Sequence, residues 1–373
     1  MSTFITRTDP GPGDGVLLAV KDLIDVAGLP TTAGSRALAD SSAPATADAP
    51  LMLGARQRGA RLVGKANLFE LAFGASGINE YFGTPVNPLD PGAVPGGSSS
   101  GSAVALAEGS ADVAYGSDTG GSVRIPAALC GTTGLKTTFG RIPLDGVWPL
   151  APSLDTVGPM ARDIAGLVLG MELLEPGFDA DVPPAATVAR LRLPALSIDP
   201  LIDAAVDEAL QRAELEVTDS NVPSWLDAHR ATMAILLREA VSSNRPLTGD
   251  PQLKAKLGAI VAARLEASEL VKDEDVVAAR SFAERFKVEL AVLLGRFELL
   301  ALPTVAFFPP PLEGGHLIVY TELTSPLNLA GLPALSLPVP TAGPFPAGLQ
   351  LVGPAGVEAL LLATGRRIEA ALH

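Results

Sequence analysis

Glycine and proline are unevenly distributed along this chain of 373 residues, and their distribution limits the folds that it can adopt. Both residue types are concentrated in two segments, roughly residues 1–160 and 302–356. Because both interrupt helices and favour turns, long helices are not expected there. Residues 160–300 instead carry apolar side chains at the three- to four-residue spacing of amphipathic helices. The sequence therefore predicts turn-rich ends around a helical middle.

Short apolar runs followed by turns predict strands in both end segments. In the first segment the expected strands are 15–20, 61–64 and 112–116, and the expected helices are 47–59 and 102–108. In the last segment the expected strands are 299–304, 334–339 and 348–353, before a closing helix over 357–372. This alternation is typical of a sheet covered by helices, and we expect the two ends to share one sheet.

The middle of the chain has the charge and apolar pattern of surface helices. The expected helices are 202–215, 225–241, 252–267 and 273–294. Such a layer is expected to act as a cap without chemistry of its own, although a cap often shapes a substrate pocket.

The acidic composition argues against nucleic acid and membranes as partners. Asp and Glu number 41 against 27 Lys and Arg, a formal net charge of −14, so phosphate-rich partners would be repelled. The single cysteine, Cys130, excludes a disulfide framework, and the three histidines are too widely spaced for a histidine-rich metal centre. Residues 1–15 lack a signal-peptide pattern, and no apolar run reaches about 18 residues. We therefore expect a soluble, cytoplasmic protein without a metal.

Two loops rich in glycine and serine stand out in the first segment. One reads Pro-Gly-Gly-Ser-Ser-Ser-Gly-Ser over 95–102, and the other reads Gly-Ser-Asp-Thr-Gly-Gly-Ser-Val-Arg-Ile-Pro over 116–126. Glycine runs allow conformations in which successive N–H groups point toward one spot. A helix and a strand are predicted between the loops, so both can return to the same end of a sheet.

Three interpretations of these loops remain open. Each loop alone can be an ordinary turn. A phosphate cradle is the second, because glycine-rich loops at helix N-termini bind phosphate, but neither the P-loop pattern nor the dinucleotide-binding pattern is present. The third is acyl transfer, in which a serine attacks a carbonyl carbon while backbone N–H groups bind the oxyanion.

Acyl transfer by serine requires a base, and histidine is the usual one. His229 falls in a charged helical stretch and His373 is the last residue, whereas His316 follows two glycines and stays open as a candidate. Lysine can replace histidine when burial lowers its pKa and leaves the amine neutral. Lys21 follows a six-residue apolar run, which predicts a position at the end of a buried strand. An exposed lysine beside Asp22 is the alternative.

An ordered set of short motifs resembles the amidase signature family. The main motifs of this set are Val-Lys-Asp at 20–22, Gly-Gly-Ser-Ser at 96–99 and Asp-Thr-Gly-Gly-Ser-Val-Arg-Ile-Pro at 118–126. Further blocks that resemble those of the family lie at Asn67, 82–88, 130–136, 153–159, 302–304, 328–334 and 346–353. The resemblance covers most of the chain outside residues 175–295.

The resemblance implies one amidase domain over residues 1–373. Residues 1–160 and 300–373 would form an α/β core that carries the catalytic loops. Its mixed β-sheet would be covered by helices on both faces. Residues 161–299 would form a mainly helical insertion. No cofactor is implied.

The resemblance also implies a Ser–Ser–Lys triad that hydrolyses or transfers carboxamides. Ser122 matches the nucleophile, Lys21 the base, and Ser98 the bridging serine, which follows a cis peptide in the family. Neutral Lys21 would take the proton of Ser98, and Ser98 would take that of Ser122 as it attacks the amide carbon. An acyl-enzyme would form, ammonia or an amine would leave, and water would release the acid.

Two further groups of residues take expected roles from the resemblance. The backbone N–H groups expected to form the oxyanion hole are those of Thr119, Gly120, Gly121 and Ser122. The loop expected to line the acyl pocket consists of Phe73, Gly74, Ala75 and Ser76.

Several neighbouring residues are expected to be structural. Asp118 and Arg124 would brace the nucleophile loop, and Cys130 would be a buried thiol. Trp148 is assigned a packing role rather than a place over the pocket. The remaining serines of the first loop, Ser99, Ser100 and Ser102, are expected to cap the following helix.

The sequence leaves three alternatives open for the kind of amidase. A stand-alone hydrolase of a small-molecule amide is favoured, because length and motif spacing resemble the short indole-3-acetamide hydrolase type. The second is the A-type subunit of a glutamine-dependent amidotransferase, which supplies ammonia to a partner. The loop over 73–80 departs from the Met-Gly-Ser-Ser-Thr-Glu-Asn-Ser run of that subunit. The third is a non-catalytic relative, and a homodimer is also considered.

Overall fold

The computed structural model describes residues 3–372, which form one eleven-stranded sheet with helices packed against it. The strands are β1 Phe4–Arg7, β2 Leu17–Lys21, β3 Arg61–Ala66, β4 Val113–Asp118, β5 Thr133–Lys136, β6 Thr156–Ala161, β7 Thr187–Leu191, β8 Glu216–Ser220, β9 Leu299–Pro303, β10 Ala334–Val339 and β11 Ala347–Val352. The helices are α1 Arg36–Ala39, α2 Leu53–Gln57, α3 Ser100–Ala107, α4 Arg124–Cys130, α5 Ile164–Leu174, α6 Pro200–Arg212, α7 Trp225–Ser243, α8 Arg245–Thr248, α9 Pro251–Lys254, α10 Ala259–Ser268, α11 Asp273–Leu294, α12 Ser325–Ala330 and α13 Glu358–Leu372.

The sheet is mixed and joins both ends of the chain. Its strand order is β1-β3-β2-β4-β6-β5-β10-β11-β9-β7-β8. β2 runs parallel to both of its neighbours, β3 and β4. Across the sheet from β4 through β6, β5, β10 and β11 to β9, each neighbouring pair is antiparallel. In this part β5 of the first segment pairs with β10 of the last. The expectation that the two ends share one sheet is confirmed.

Helices cover both faces of this sheet because successive strand residues point to opposite faces. In β5, a Cβ added at Gly134 would lie 3.2 Å from Ala127 of α4. The next residue, Leu135, belongs instead to a buried cluster with Ile164 of α5 and Leu361 of α13. The helices α3 and α4 therefore lie on one face, and α5 and α13 lie on the other. The α/β class expected from the sequence is confirmed.

The middle of the chain also contributes strands that the sequence pattern did not reveal. β7 and β8 pair in parallel and extend the sheet beyond β9. Each is only five residues long and stands between amphipathic helices, and β8 is a largely exposed edge strand. β8 is too polar to show an apolar face, and Arg190 interrupts the short apolar run of β7, so neither segment has the pattern that predicts a strand.

Two predicted helices are shorter than expected. The helix expected over 47–59 is a 3-10 turn at Pro50–Met52 followed by α2. The helix expected over 252–267 is interrupted before Gly258, whose N–H donates to Glu70 Oε2 at 2.9 Å, so α9 and α10 are separate. Within residues 3–372 no helix is both long and apolar enough to cross a membrane.

Candidate active site

Lys21 is the last residue of β2 and lies at the end of the sheet where the parallel strands β2, β3 and β4 terminate. β3 and β4 flank β2 in parallel, and Val20 lies opposite Tyr115 of β4. The apolar residues that lead to Lys21 are buried, as expected of a strand with parallel neighbours on both sides. Lys21 itself is 0% exposed, so its amine lies inside the protein rather than at an exposed strand end.

The Lys21 amine contacts two serine hydroxyls. Its Nζ lies 2.7 Å from Ser98 Oγ and 2.8 Å from Ser117 Oγ. Ser98 is fully buried and follows a cis peptide at Gly97–Ser98, which the family resemblance implied. Ser117 was not singled out from the sequence, because a serine inside a glycine-serine loop has no distinguishing neighbour. Only the pairing of β2 with β4 places it beside the amine.

Burial changes the ionisation of this amine. Removal from water lowers the pKa of Lys21 from its ordinary value of 10.5 to about 7. The carboxylates of Asp118 and Asp155 oppose the shift but do not cancel it. A substantial fraction of the amine is therefore neutral at neutral pH and able to accept a proton, which an ammonium cannot do.

Ser122 lies beside this pair and opens into a cavity. The Ser99 N–H donates to the Ser122 carbonyl at 3.2 Å, which joins the first glycine-serine loop to the second. Ser122 is 7% exposed and lines a cavity of about 320 Å³. The structure therefore brings Lys21, Ser98 and Ser122 to one end of the sheet.

Asp118 and Arg124 form a fully buried ion pair behind the nucleophile loop. Arg124 Nη2 lies 2.8 Å from Asp118 Oδ1, and both side chains are 0% exposed. Burial would raise the pKa of Asp118, but the Arg124 guanidinium holds it well below its usual range. Arg124 also donates to Gln350 and Asn328, both at 2.7 Å. This geometry fits the bracing role expected from the sequence.

The backbone N–H groups of the loop do not all face the cavity. Thr119, Gly120 and Ser122 line it. The Gly121 N–H instead donates to Asp118 Oδ1 at 2.8 Å. The brace therefore already occupies the Gly121 N–H, and its expected role as an oxyanion donor stays a prediction.

The cavity walls come from both ends of the chain and from its middle. The expected loop contributes all four of its residues, Phe73, Gly74, Ala75 and Ser76. The first segment also contributes Leu150, the helical middle contributes Met233, Leu236, Leu237, Arg264, Ala267 and Ser268, and the last segment contributes His316, Ile318, Val319, Tyr320 and Thr321. The sequence pattern did not identify these last two groups, because an amphipathic pattern shows which helix face is apolar but not what it covers.

Neither His229 nor His316 occupies the position expected of the base. His316 lines the cavity and is half-buried, whereas the amine next to Ser98 is that of Lys21. His229 Nδ1 lies 2.9 Å from Ser325 Oγ, and burial lowers the pKa of His229. His373 lies outside the described residues.

The residues expected to be structural are placed mostly as predicted. Cys130 is buried with its Sγ 3.1 Å from the Pro95 carbonyl oxygen, and burial raises the pKa of its thiol. Trp148 lines a separate groove. The capping role of the serines is wrong, because the hydroxyl of Ser99 donates to Ser117 O and that of Ser102 to Tyr115 O.

The first loop is not arranged as a phosphate cradle. The N–H groups of Gly97 and Gly101 donate to backbone carbonyls at 2.7 and 2.8 Å, as the Ser99 N–H also does. Donors that already have carbonyl partners do not converge on an anion. Among the residues that the structure describes, no group of three His, Cys, Asp or Glu side chains is placed to bind a metal ion.

Comparison with known proteins places the chain in a family. A sequence profile of the family described as Amidase matches residues 5–362. The chain belongs to the amidase signature family. It is therefore an amidase-family hydrolase, an enzyme that acts on amide C–N bonds.

Its relatives are named for different activities. The chain is 38% identical to the A-type subunit of the glutamyl-tRNA(Gln) amidotransferase of Thermus thermophilus, over 97% of this chain and 86% of that one. It is 35% identical to 2-amino-5-chloromuconic acid deaminase of Comamonas testosteroni, over 97% and 82%. A crystal structure of an amidase superposes with a TM-score of 0.86 at 31% identity, over 96% and 85%.

Proposed function

We propose that this protein hydrolyses the C–N bond of a small-molecule carboxamide to a carboxylate and ammonia or an amine, through an acyl-enzyme on Ser122. One observation carries this proposal. A fully buried Lys21 amine lies 2.7 Å from Ser98 Oγ, and the next residue, Ser99, contacts the backbone of Ser122, which lines a cavity. A buried neutral amine in contact with a hydroxyl can serve a serine nucleophile as a base in place of histidine.

The contact between Lys21 and Ser98 supports the following acylation half-reaction. Neutral Lys21 accepts the proton of Ser98 Oγ, and Ser98 accepts the proton of Ser122 Oγ as that oxygen attacks the amide carbon. The N–H groups of Thr119, Gly120 and Ser122 bind the resulting oxyanion. Loss of one such donor typically raises the barrier by about 2.7–4 kcal/mol.

The tetrahedral intermediate then collapses and the enzyme is regenerated. The proton returns from Lys21 through Ser98 to the departing nitrogen, the C–N bond breaks, and ammonia or an amine leaves. Water attacks the acyl carbon and gives its proton to the same relay. The C–O bond to Ser122 breaks, Ser122 regains a proton, and the carboxylic acid is released.

A glutamine-dependent amidotransferase subunit is the second candidate, favoured by the identity with the Thermus protein. Glutamine carries an α-carboxylate and an α-ammonium. The Arg264 guanidinium in the cavity wall suits the carboxylate, but among the described residues that line the cavity none is acidic. An ammonium left without a carboxylate in an apolar cavity is costly. The cavity therefore favours an amide without a free ammonium over glutamine.

Ammonia release tests the proposal directly. We expect the purified protein to release ammonia from members of a panel of aryl and alkyl amides that also includes glutamine, and Ser122→Ala to abolish this release. Ser100→Ala is the matched control, because Ser100 Oγ is a buried hydroxyl of the first loop without a hydrogen-bond partner. Inertness of the wild type across the panel, or loss of activity in both variants, would contradict the proposal. Activity on glutamine alone among the panel would favour the second candidate.

The pH dependence of catalysis should follow the Lys21 amine. Because burial lowers the pKa of Lys21 to about 7, the neutral form that accepts a proton becomes more abundant as the pH rises. We expect kcat/KM for an uncharged amide to increase between pH 6 and pH 8, with a midpoint near 7, and then to level off. A profile that falls over this range would be inconsistent with an amine base.

A further inference from the structure

The peptide unit between Gly120 and Gly121 is held at both of its polar ends. Its carbonyl oxygen accepts a hydrogen bond from Thr324 Oγ1 at 2.6 Å. Its N–H donates to Asp118 Oδ1 at 2.8 Å. Because a peptide unit is planar, fixing the carbonyl and the N–H fixes the orientation of the whole unit.

The next peptide unit is held as well. The Gly121 carbonyl accepts from the Ile125 N–H at 2.7 Å. In a trans peptide the N–H points away from the carbonyl, so the Ser122 N–H is directed away from Ile125. The two N–H groups that flank the held unit, those of Gly120 and Ser122, belong to residues that line the cavity.

Thr324 packs directly against this loop but is not part of the cavity wall. It is 0% exposed and is absent from the described residues that line the cavity. A Cβ added at Gly121, where φ is +130°, would lie only 2.3 Å from Thr324 Oγ1. The Thr321 carbonyl is a second acceptor for this hydroxyl, but at 3.4 Å it is much farther away than the Gly120 carbonyl at 2.6 Å.

Thr324 is anchored by the same ion pair that holds the N–H end of the unit. Its carbonyl accepts from Arg124 Nη1 at 3.1 Å, and Arg124 pairs with Asp118. The Arg124 guanidinium therefore connects Thr324, which binds the carbonyl end of the peptide unit, with Asp118, which binds its N–H end.

We propose that Thr324 is a positioning residue of the oxyanion hole, an inference that rests on the proposed function. Its hydroxyl orients the Gly120–Gly121 peptide and thereby aims the N–H groups of Gly120 and Ser122 at the developing oxyanion. Preorganised donors stabilise a transition state because they need no reorientation during the reaction. Thr324 acts on the reaction through the loop and does not touch the substrate.

The test compares Thr324→Val, which keeps the shape but removes the hydroxyl, with Thr324→Ser, which keeps the hydroxyl. We expect Thr324→Val to lower kcat about tenfold or more with little change in KM, because the oxyanion forms only in the transition state. Thr324→Ser should restore most of the activity. The affinity for an alkyl boronic acid, which places a tetrahedral anion on the nucleophile, should fall in parallel with kcat.

Thr232→Val is the matched control. Thr232 is also a buried threonine, and its hydroxyl donates to Ala228 O at 2.7 Å and to Ser325 O at 3.2 Å rather than to the nucleophile loop. It should leave kcat within about twofold of the wild type. Equal losses in Thr232→Val and Thr324→Val, or wild-type kcat in Thr324→Val, would overturn the inference in favour of general packing.

A fluorophosphonate probe separates failure of this inference from failure of the proposed function. The probe should label the wild type but not Ser122→Ala, and Thr324→Val should be labelled more slowly than Thr324→Ser. Labelling of the wild type with equal rates in both Thr324 variants would refute the positioning role alone. A wild type that is neither labelled nor active would refute the proposed function and the inference together.

Discussion

Lys21→Met is expected to lower kcat/KM about 10³-fold, within the ~10²–10⁴ range of general base catalysis. Methionine has a similar length but cannot accept a proton from Ser98, whose Oγ lies 2.7 Å from the amine in the wild type. The activity of the purified variant on the best amide of the panel measures the effect.

Lys136→Met provides a matched control for this change. Lys136 is also 0% exposed, and burial lowers its pKa to about 7 as well. Its amine donates to the carbonyls of Thr137 and Leu332 at 3.0 and 2.8 Å rather than to a serine of the site. Any loss of activity in Lys136→Met should therefore be accounted for by its loss of folded protein. Equal activity per folded molecule in the two variants would rule out Lys21 as the base.

The pH dependence of stability in the wild type and in Lys21→Met tests the ionisation of Lys21 without any substrate. Since burial lowers the pKa of Lys21 to about 7 from 10.5, the unfolded chain binds more protons than the folded chain between these values. The contribution of Lys21 to the free energy of unfolding therefore rises with pH across that window. Lys21→Met should lose this rise, so its free energy of unfolding in urea, minus that of the wild type, should fall from pH 7 to pH 9.5.

Arg124→Met is expected to destabilise the protein by about 3–5 kcal/mol, the usual cost of breaking a buried ion pair. It leaves the fully buried Asp118 carboxylate without its cation and removes the donor to Gln350 and Asn328. Urea unfolding followed by fluorescence measures the change. Adding Asp118→Asn should recover part of the loss, because the uncompensated charge is then removed.

Arg190→Met is the control for the Arg124 prediction. Arg190 is also 0% exposed, but its partners Asp203 and Asp207 are 37% and 41% exposed and also pair with Arg192. Those carboxylates keep a cation and reach water when Arg190 is removed, so the loss of stability should be clearly smaller. Similar losses of stability in the two variants would show that breaking the buried Asp118–Arg124 pair costs no more than breaking the partly exposed pairs of Arg190.

The helical middle of the chain shapes the cavity. α7 supplies Met233, Leu236 and Leu237 to its wall, and α10 supplies Arg264. Arg264 donates to the carbonyls of Phe73 and His316, at 2.8 and 3.1 Å, and so joins two walls of the cavity. Substrate selectivity is therefore expected to depend on this layer as well as on the loop over residues 73–76.

Local sequence determined the parts of this protein that depend on neighbours along the chain. The apolar run before Lys21 is a buried strand, the glycine-serine loops flank α3 and β4, and the ordered motifs identify the family. The catalytic roles of Lys21, Ser98 and Ser122 stay predictions until the variants are measured, although the structure brings these residues together.

Tertiary structure decided what depends on residues far apart in the chain. The position of Ser117 beside Lys21 follows from the pairing of β2 with β4. The direction of the Gly121 N–H follows from the Asp118 brace, which Arg124 ties to residues of the last segment. A sequence pattern records how apolar a position is and which conformations it favours. It does not record which distant donor will meet a given acceptor, because that depends on how the whole sheet and its helices pack.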